Sequence, residues 1–167
     1  MADGGLTPHP NVVRVVEAAR GAGLEIAVRR FPEGTRTAAD AARAVGCDVA
    51  QIVKSLVFVA DGDAVIALIS GADRLDPARL AAAVGAGTVR RADGDEARAA
   101  TGFPIGGVPP LGHARRLRVL MDEHLLAHDE VWAAAGLPDA VFPAQPAALR
   151  RAAGARTARL AADEGSG

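Results

Sequence analysis

The chain has 167 residues, half of them hydrophobic, and a formal net charge of −1. This length fits one globular domain with a sizeable core, and the near-neutral charge excludes a global basic surface, so nucleic acid could bind only at a local patch. A single cysteine, Cys47, excludes an internal disulfide framework. Aromatic residues make up only 3%, which argues against a stacking platform for single-stranded nucleic acid. Without a signal peptide or a bilayer-spanning run, we expect a cytoplasmic protein with no membrane partner.

Capping residues and glycines mark the ends of the predicted elements. Helices are predicted to begin near Pro10, Thr37, Asp76, Asp93 and Pro146. Strands are predicted over residues 24–31, 52–60, 64–70, 88–91, 117–121, 131–135, 140–142 and 156–160, with one helical turn at 122–126. Asp61-Gly62 separates two β-branched runs and indicates a hairpin.

Helices and hairpins are interleaved without a strict β-α-β rhythm. The sequence therefore predicts an α+β fold, with a mixed, mainly antiparallel, barrel-like sheet surrounded by helices. We expect a single domain over residues 10–162, and disordered ends over residues 1–9 and 163–167.

Residues 101–112, the central loop, hold four glycines and three prolines together with apolar side chains. Such a loop can direct consecutive backbone N–H groups at an anion or a polarised carbonyl, and it can equally be a rigid buried turn. Arg115 and Arg116 follow it and could contact a phosphate, although charged runs are usually solvated faces.

Lys54 lies in an apolar predicted strand, where an unpaired ammonium is costly to bury. It could hold a phosphate, a carboxylate or a developing oxyanion. Alternatively, its stem could lie on the core while its head reaches water.

Other reactive residues form no recognisable constellation. His124 and His128 are four residues apart beside acidic residues, but a zinc site needs further ligands and no H-E-x-x-H pattern is present. The serines lack a nucleophile elbow, and neither glycine cluster is a phosphate-binding loop. We therefore predict no metal and no cofactor.

Four segments together resemble the YbaK/EbsC family, whose domain is also the editing insertion of bacterial prolyl-tRNA synthetases. They are residues 37–42, the Lys54 strand over 51–58, Ser70-Gly71 and the central loop. The resemblance implies a free-standing aminoacyl-tRNA deacylase that acts on mischarged tRNA, of the tRNA-Pro editing type, with a prolyl-tRNA synthetase as a possible partner. A binding-only module of the same fold remains the alternative.

The resemblance also implies which residues form the site. Lys54 and Gly106 would be catalytic, with backbone groups of the loop holding the ester. The substrate-binding set would be Phe31, Ser55, Ser70, Gly106, Gly107, Val108, Pro110, Ala135 and Gly136. Family members specific for alanine or cysteine carry markers near Phe142-Pro143 and Ala135-Gly136 that this chain lacks, so the amino acid removed stays open.

Overall fold

The structure is a computed structural model, and it describes residues 8–31 and 37–163. The α-helices in these ranges are α1 (Pro10–Gly21), α2 (Ala38–Val45), α3 (Pro77–Val84), α4 (Gly94–Thr101) and α5 (Pro146–Ala153). The strands are β1 (Arg29–Arg30), β2 (Val53–Ala60), β3 (Asp63–Ser70), β4 (Val89–Arg91), β5 (Arg118–Asp122), β6 (Val131–Ala134), β7 (Ala140–Ala144) and β8 (Arg156–Ala158). Short 3₁₀ helices span Val49–Gln51 and Glu123–Ala127. The predicted disordered ends, residues 1–9 and 163–167, lie mostly outside the described residues.

Local side-chain contacts explain why the helices begin where the sequence predicts. The Thr37 hydroxyl accepts a hydrogen bond from the Asp40 N–H at 3.0 Å, which caps α2. Asp93 and Glu96 form a reciprocal capping box at the start of α4. At the predicted hairpin, Asp61 and Gly62 both have positive φ, as a tight two-residue turn between twisted strands requires.

The strands form two sheets. The larger has the order β4-β2-β3-β5-β8, and the smaller has the order β1-β7-β6. Only the β3–β5 and β5–β8 pairs are parallel, so the prediction of a mixed, mainly antiparallel architecture with packed helices is confirmed. The described residues close no barrel, and the barrel-like part of the prediction is not confirmed.

The predicted strand over residues 24–31 is wrong for most of its length, because only Arg29–Arg30 pairs with β7. Extending the register would place Pro143 opposite residue 27. The Ala135 N–H donates to the Ala140 carbonyl at 2.8 Å, so alternate residues of β7 face β6, and the main chain of Pro143 faces the β1 side. Proline has no N–H to donate, and the ladder ends there.

The five-stranded sheet separates two apolar clusters. On one face, β2, β3 and β5 pack against α1, α4, α5 and the smaller sheet. On the other face, α3 contributes the fully buried Leu80, which packs beside Phe58 of β2. Within residues 8–31 and 37–163, none of the helices is both long and apolar enough to cross a membrane.

Candidate active site

A cavity of about 330 Å³ opens where the two sheets meet. Ile52, just before β2, makes a single parallel bridge to Trp132 of β6, and the two strands are not paired beyond that point. On the same edge of β2, β4 pairs only with Phe58–Ala60. The segment of β2 between the bridge and β4 therefore lines the cavity, together with α2, β6, β7 and the central loop.

Lys54 lines this cavity from β2. Its ammonium Nζ donates a hydrogen bond to the backbone carbonyl of Asp73 at 2.7 Å, in the turn that follows β3. Burial lowers the pKa of Lys54, the Asp73 carboxylate opposes that change, and the positive charge of Arg91 adds to it. The lysine is thus a partly buried cation of a residue that lines the cavity, and its contact with a substrate stays a prediction.

The central loop forms another wall through Ile105, Gly106 and Val108. Gly106 has a φ of +89°, in the region that favours glycine. Gly107 is closely packed, because a Cβ there would lie 2.8 Å from the Leu137 Cα. Its N–H donates to the Pro104 carbonyl at 2.9 Å and is therefore occupied within the loop. The loop is a rigid buried turn on one side and a cavity wall on the other.

Several residues of the predicted substrate-binding set lie outside the cavity lining. Ser70 is buried, and its hydroxyl donates to the Ala50 carbonyl at 2.8 Å and accepts from the Ala72 N–H at 3.2 Å. Phe31 packs against the cluster that contains Trp132. Pro110, Ala135 and Gly136 are buried outside the cavity lining. Their contact with substrate stays a prediction.

Ser55 does line the cavity, but not through its hydroxyl. The Ser55 Oγ is fully buried and has no hydrogen-bond partner among the described residues. Its side chain shares a face of β2 with Val53 and Val57, which belong to the apolar cluster beneath the sheet. The main chain of Ser55 is therefore the part of this residue that a ligand in the cavity can reach.

Sequence analysis missed most of the residues that come from other elements. Arg91, at the end of β4, adds a second cation to the lining. Its charge was visible in the sequence, but only the pairing of β4 with β2 places it near Lys54. The further lining residues are small or apolar: Thr37, Ala38, Ala41, Trp132, Ala133, Ala134, Pro138 and Val141. Arg115 and Arg116 are exposed and lie outside the lining.

Known proteins with similar sequences and structures identify the family of this chain. Residues 32–152 match the sequence model of the aminoacyl-tRNA editing domain. The chain belongs to this family. The editing domain is also similar to a crystal structure described as that of a candidate trans-editing enzyme for prolyl tRNA synthetase. The TM-score is 0.89 and the sequence identity is 45%, over 94% of this chain and 100% of the other.

Curated relatives of the editing domain are proline–tRNA ligases. The ligase of Citrifermentans bemidjiense is 35% identical over 111 residues, which are 64% of this chain and 19% of the ligase. The ligase of Acidithiobacillus ferrooxidans is 37% identical over 93 residues, which are 56% of this chain and 16% of the ligase. The matching region thus spans less than a fifth of each ligase. These matches confirm the resemblance to prolyl-tRNA synthetase editing domains.

Behind Lys54, the editing domain has a small polar cluster at the surface. His124 Nδ1 lies 2.8 Å from the Asp73 carboxylate and 3.6 Å from that of Asp122, and the hydrogen bond to Asp73 raises the pKa of His124. Asp122 is fully buried, and its carboxylate accepts the backbone N–H groups of His124, Leu160 and Ala161. These contacts join the β5 end, the β3 turn and the C-terminal segment, which gives the cluster a structural role.

Proposed function

We propose that this protein is a trans-acting aminoacyl-tRNA deacylase that removes a small amino acid, such as alanine or cysteine, from mischarged tRNA of the tRNA-Pro type. The observation that carries the proposal is the cavity itself. Its lining combines two cationic residues, Lys54 and Arg91, with small and apolar residues. Two cations suit the negative charge of a tRNA 3′ end, and a cavity of about 330 Å³ suits a small aminoacyl group.

The reaction is hydrolysis of an ester. The oxygen of a water molecule bonds to the ester carbonyl carbon, and the carbonyl oxygen gains negative charge in the tetrahedral intermediate. The bond between that carbon and the ribose oxygen then breaks. The free amino acid leaves as a carboxylate. One proton of the water passes to the ribose oxygen, so that the tRNA regains its hydroxyl, and the other passes to solvent.

Lys54 would lower the barrier by stabilising negative charge near the reacting ester or its adjoining phosphate. Its ammonium is held by the Asp73 carbonyl and so is oriented before the substrate arrives. A prolyl-tRNA synthetase is the natural partner for this activity, because the family's domain is part of such ligases in the relatives described above.

The direct test measures release of labelled amino acid from Ala-, Cys- and Ser-tRNA by wild type and by Lys54→Ala. We expect hydrolysis of at least one substrate, and a loss of about 10²- to 10³-fold in kcat/KM in the variant. The thermal midpoint should change little, since Lys54 makes one hydrogen bond to a turn carbonyl, with a net value of about 1 kcal/mol.

Arg156→Ala is the matched control. Arg156 also donates to a backbone carbonyl, that of Ala83, and it lies away from the cavity. Its removal should leave deacylation intact. If no aminoacyl-tRNA in the panel is hydrolysed, the binding-only alternative replaces the enzyme.

A further inference from the structure

Strand β2 presents an unpaired main-chain edge to the cavity. In an antiparallel sheet, the N–H and C=O of alternate residues point to opposite neighbours. The Gly71 N–H donates to the Ile52 carbonyl at 2.7 Å, and the Ala92 N–H donates to the Val57 carbonyl at 3.0 Å. Even-numbered residues of β2 therefore face β3, and odd-numbered residues face the side of β4 and the cavity.

Ser55 lies on the part of that edge that is paired with neither β4 nor β6. The register of β4 ends opposite Phe58, and β6 pairs with this edge only at the bridge between Ile52 and Trp132. Among residues 8–31 and 37–163, no strand pairing thus covers this edge at Ser55, and Ser55 lines the cavity. Its side chain points into the core, so the ligand-facing groups of this residue are its amide hydrogen and carbonyl oxygen.

An aminoacyl ester has the geometry to fill this position. It carries an amine and a carbonyl on the same Cα, as a residue within a strand does. Two residues directly opposite in a hydrogen-bonded antiparallel pair exchange both N–H···O bonds. Extended ligands add to exposed sheet edges in this way, with main-chain hydrogen bonds supplying affinity.

We propose that the main chain of Ser55 binds the aminoacyl group as a one-residue strand partner. The Ser55 carbonyl accepts a hydrogen bond from the α-ammonium, and the Ser55 N–H donates to the ester carbonyl. This inference rests on the proposed deacylase function and adds two properties to it. The enzyme requires a donor on the α-carbon, and a backbone N–H contributes to stabilising the developing oxyanion beside Lys54.

Strand β6, on the opposite wall of the cavity, has a main-chain edge that could bind the same ligand. The experiment must therefore distinguish binding at β6 from binding at Ser55. The Ala135 N–H donates to the Ala140 carbonyl of β7, so the neighbouring Ala134 directs its main chain away from β7 and towards the cavity. We assign the ligand to Ser55 because Lys54 is adjacent to it in sequence and lines the same cavity wall.

The substrate test compares alanyl-tRNA, lactyl-tRNA and propionyl-tRNA, which carry an amine, a hydroxyl or only hydrogen at the same carbon. Each kcat/KM is divided by the spontaneous hydrolysis rate of that ester, which removes the intrinsic effect of the ammonium on reactivity. We expect the ratio for propionyl-tRNA to fall about 10- to 100-fold below that for alanyl-tRNA, with lactyl-tRNA between them. If the panel selects cysteine, cysteinyl- and 3-mercaptopropionyl-tRNA replace the first and last substrates.

The protein test replaces one backbone N–H by an ester oxygen, through incorporation of the α-hydroxy acid. At Ser55 this change should reduce kcat/KM about 10²- to 10³-fold. Val59 is the matched control, because it lies on the same side of β2 but pairs with Arg90 of β4 outside the cavity. The Val59 replacement should lower the thermal midpoint and keep kcat/KM.

The outcomes separate this inference from the function on which it rests. The same N–H replacement is made at Ala134, and it should keep kcat/KM. Equal ratios for propionyl- and alanyl-tRNA, or a loss of activity with the Ala134 replacement and not with the Ser55 replacement, would overturn the inference and leave the deacylase intact. If wild type hydrolyses no aminoacyl-tRNA at all, the deacylase function fails and the inference fails with it.

Discussion

Strand β2 has two halves with different surroundings. Over Phe58–Ala60, β4 pairs with its outer edge, and the side chains of Phe58 and Ala60 belong to the apolar cluster that contains Leu80 of α3. Over Val53–Ser55, the same edge faces the cavity. The edge is left open where β4 stops, because Asp93 caps α4 two residues after β4 ends. One strand therefore supplies both a stable half and a half that is open to a ligand.

The largest effect on stability is expected in the covered half. Leu80 of α3 is fully buried beside Phe58. Leu80→Ala should reduce the free energy of unfolding by about 2–5 kcal/mol, because it removes buried methyl groups and leaves a cavity. Chemical denaturation measures the loss. The deacylation rate per folded molecule should stay at the wild-type value, and a parallel loss of activity would mean that the two halves are not independent.

A smaller effect on stability, with an effect on activity, is expected at the loop beside the open half. In Gly107→Ala, the new Cβ would meet the Leu137 backbone, so the loop must shift. We expect a loss of about 1–3 kcal/mol in the free energy of unfolding and a reduced kcat/KM, since Gly106 and Val108 line the cavity.

Gly106→Ala is the informative comparison for this loop. A Cβ there has room, 3.8 Å from the Pro138 Cγ, but the positive φ of Gly106 strains any other residue. The expected defect at Gly106 is therefore conformational and not a steric block. If Gly107→Ala had wild-type stability and kinetics, the loop would be more adaptable than its packing indicates.

Features of the fold and the site could be predicted from the sequence where they depend on neighbouring residues, and not where they depend on residues far away in the chain. The caps at Thr37 and Asp93 and the turn at Asp61-Gly62 depend on neighbouring residues, and sequence analysis located them. The short β1 depends on Pro143, more than a hundred residues away, through the register of β7. Arg91 reaches the site only because β4 pairs with β2, and the open edge at Ser55 exists only because β4 and β6 both stop short of it. These strand pairings are set by the topology of the sheets, and the residues around Ser55 and Arg91 do not indicate them.

A pH-dependent effect on stability is expected at Asp73. Its backbone carbonyl accepts from Lys54, and its carboxylate contacts His124. The hydrogen bond to Asp73, with the charges of Asp122 and Glu123, raises the pKa of His124. A raised folded-state pKa stabilises the fold fully below the unfolded value of about 6.5, and this contribution is lost as the pH rises through the folded value. His124 is mostly exposed, so the contribution should be below about 1 kcal/mol.

The difference in unfolding free energy between wild type and His124→Gln measures this contribution. It should be largest below about pH 6.5, shrink as the pH rises, and shrink at high salt. A difference that stays constant between pH 5 and 9 would show that the histidine acts through packing and not through its charge.

The smallest effect on the free energy of unfolding is expected at the Ser55 side chain, which points away from the cavity and into the core. Ser55 Oγ is buried without a partner among the described residues, so its hydroxyl carries a desolvation cost that no hydrogen bond offsets. Ser55→Ala should leave the free energy of unfolding unchanged or raise it by about 1 kcal/mol. Thermal and chemical unfolding measure this directly. Ser70→Ala is the matched control, because the Ser70 hydroxyl has two partners and its loss should destabilise the protein.

A clear loss of stability in Ser55→Ala would mean that the Ser55 hydroxyl has a partner, such as a bound water. The side chain would then help to fix the edge that its main chain presents to the cavity.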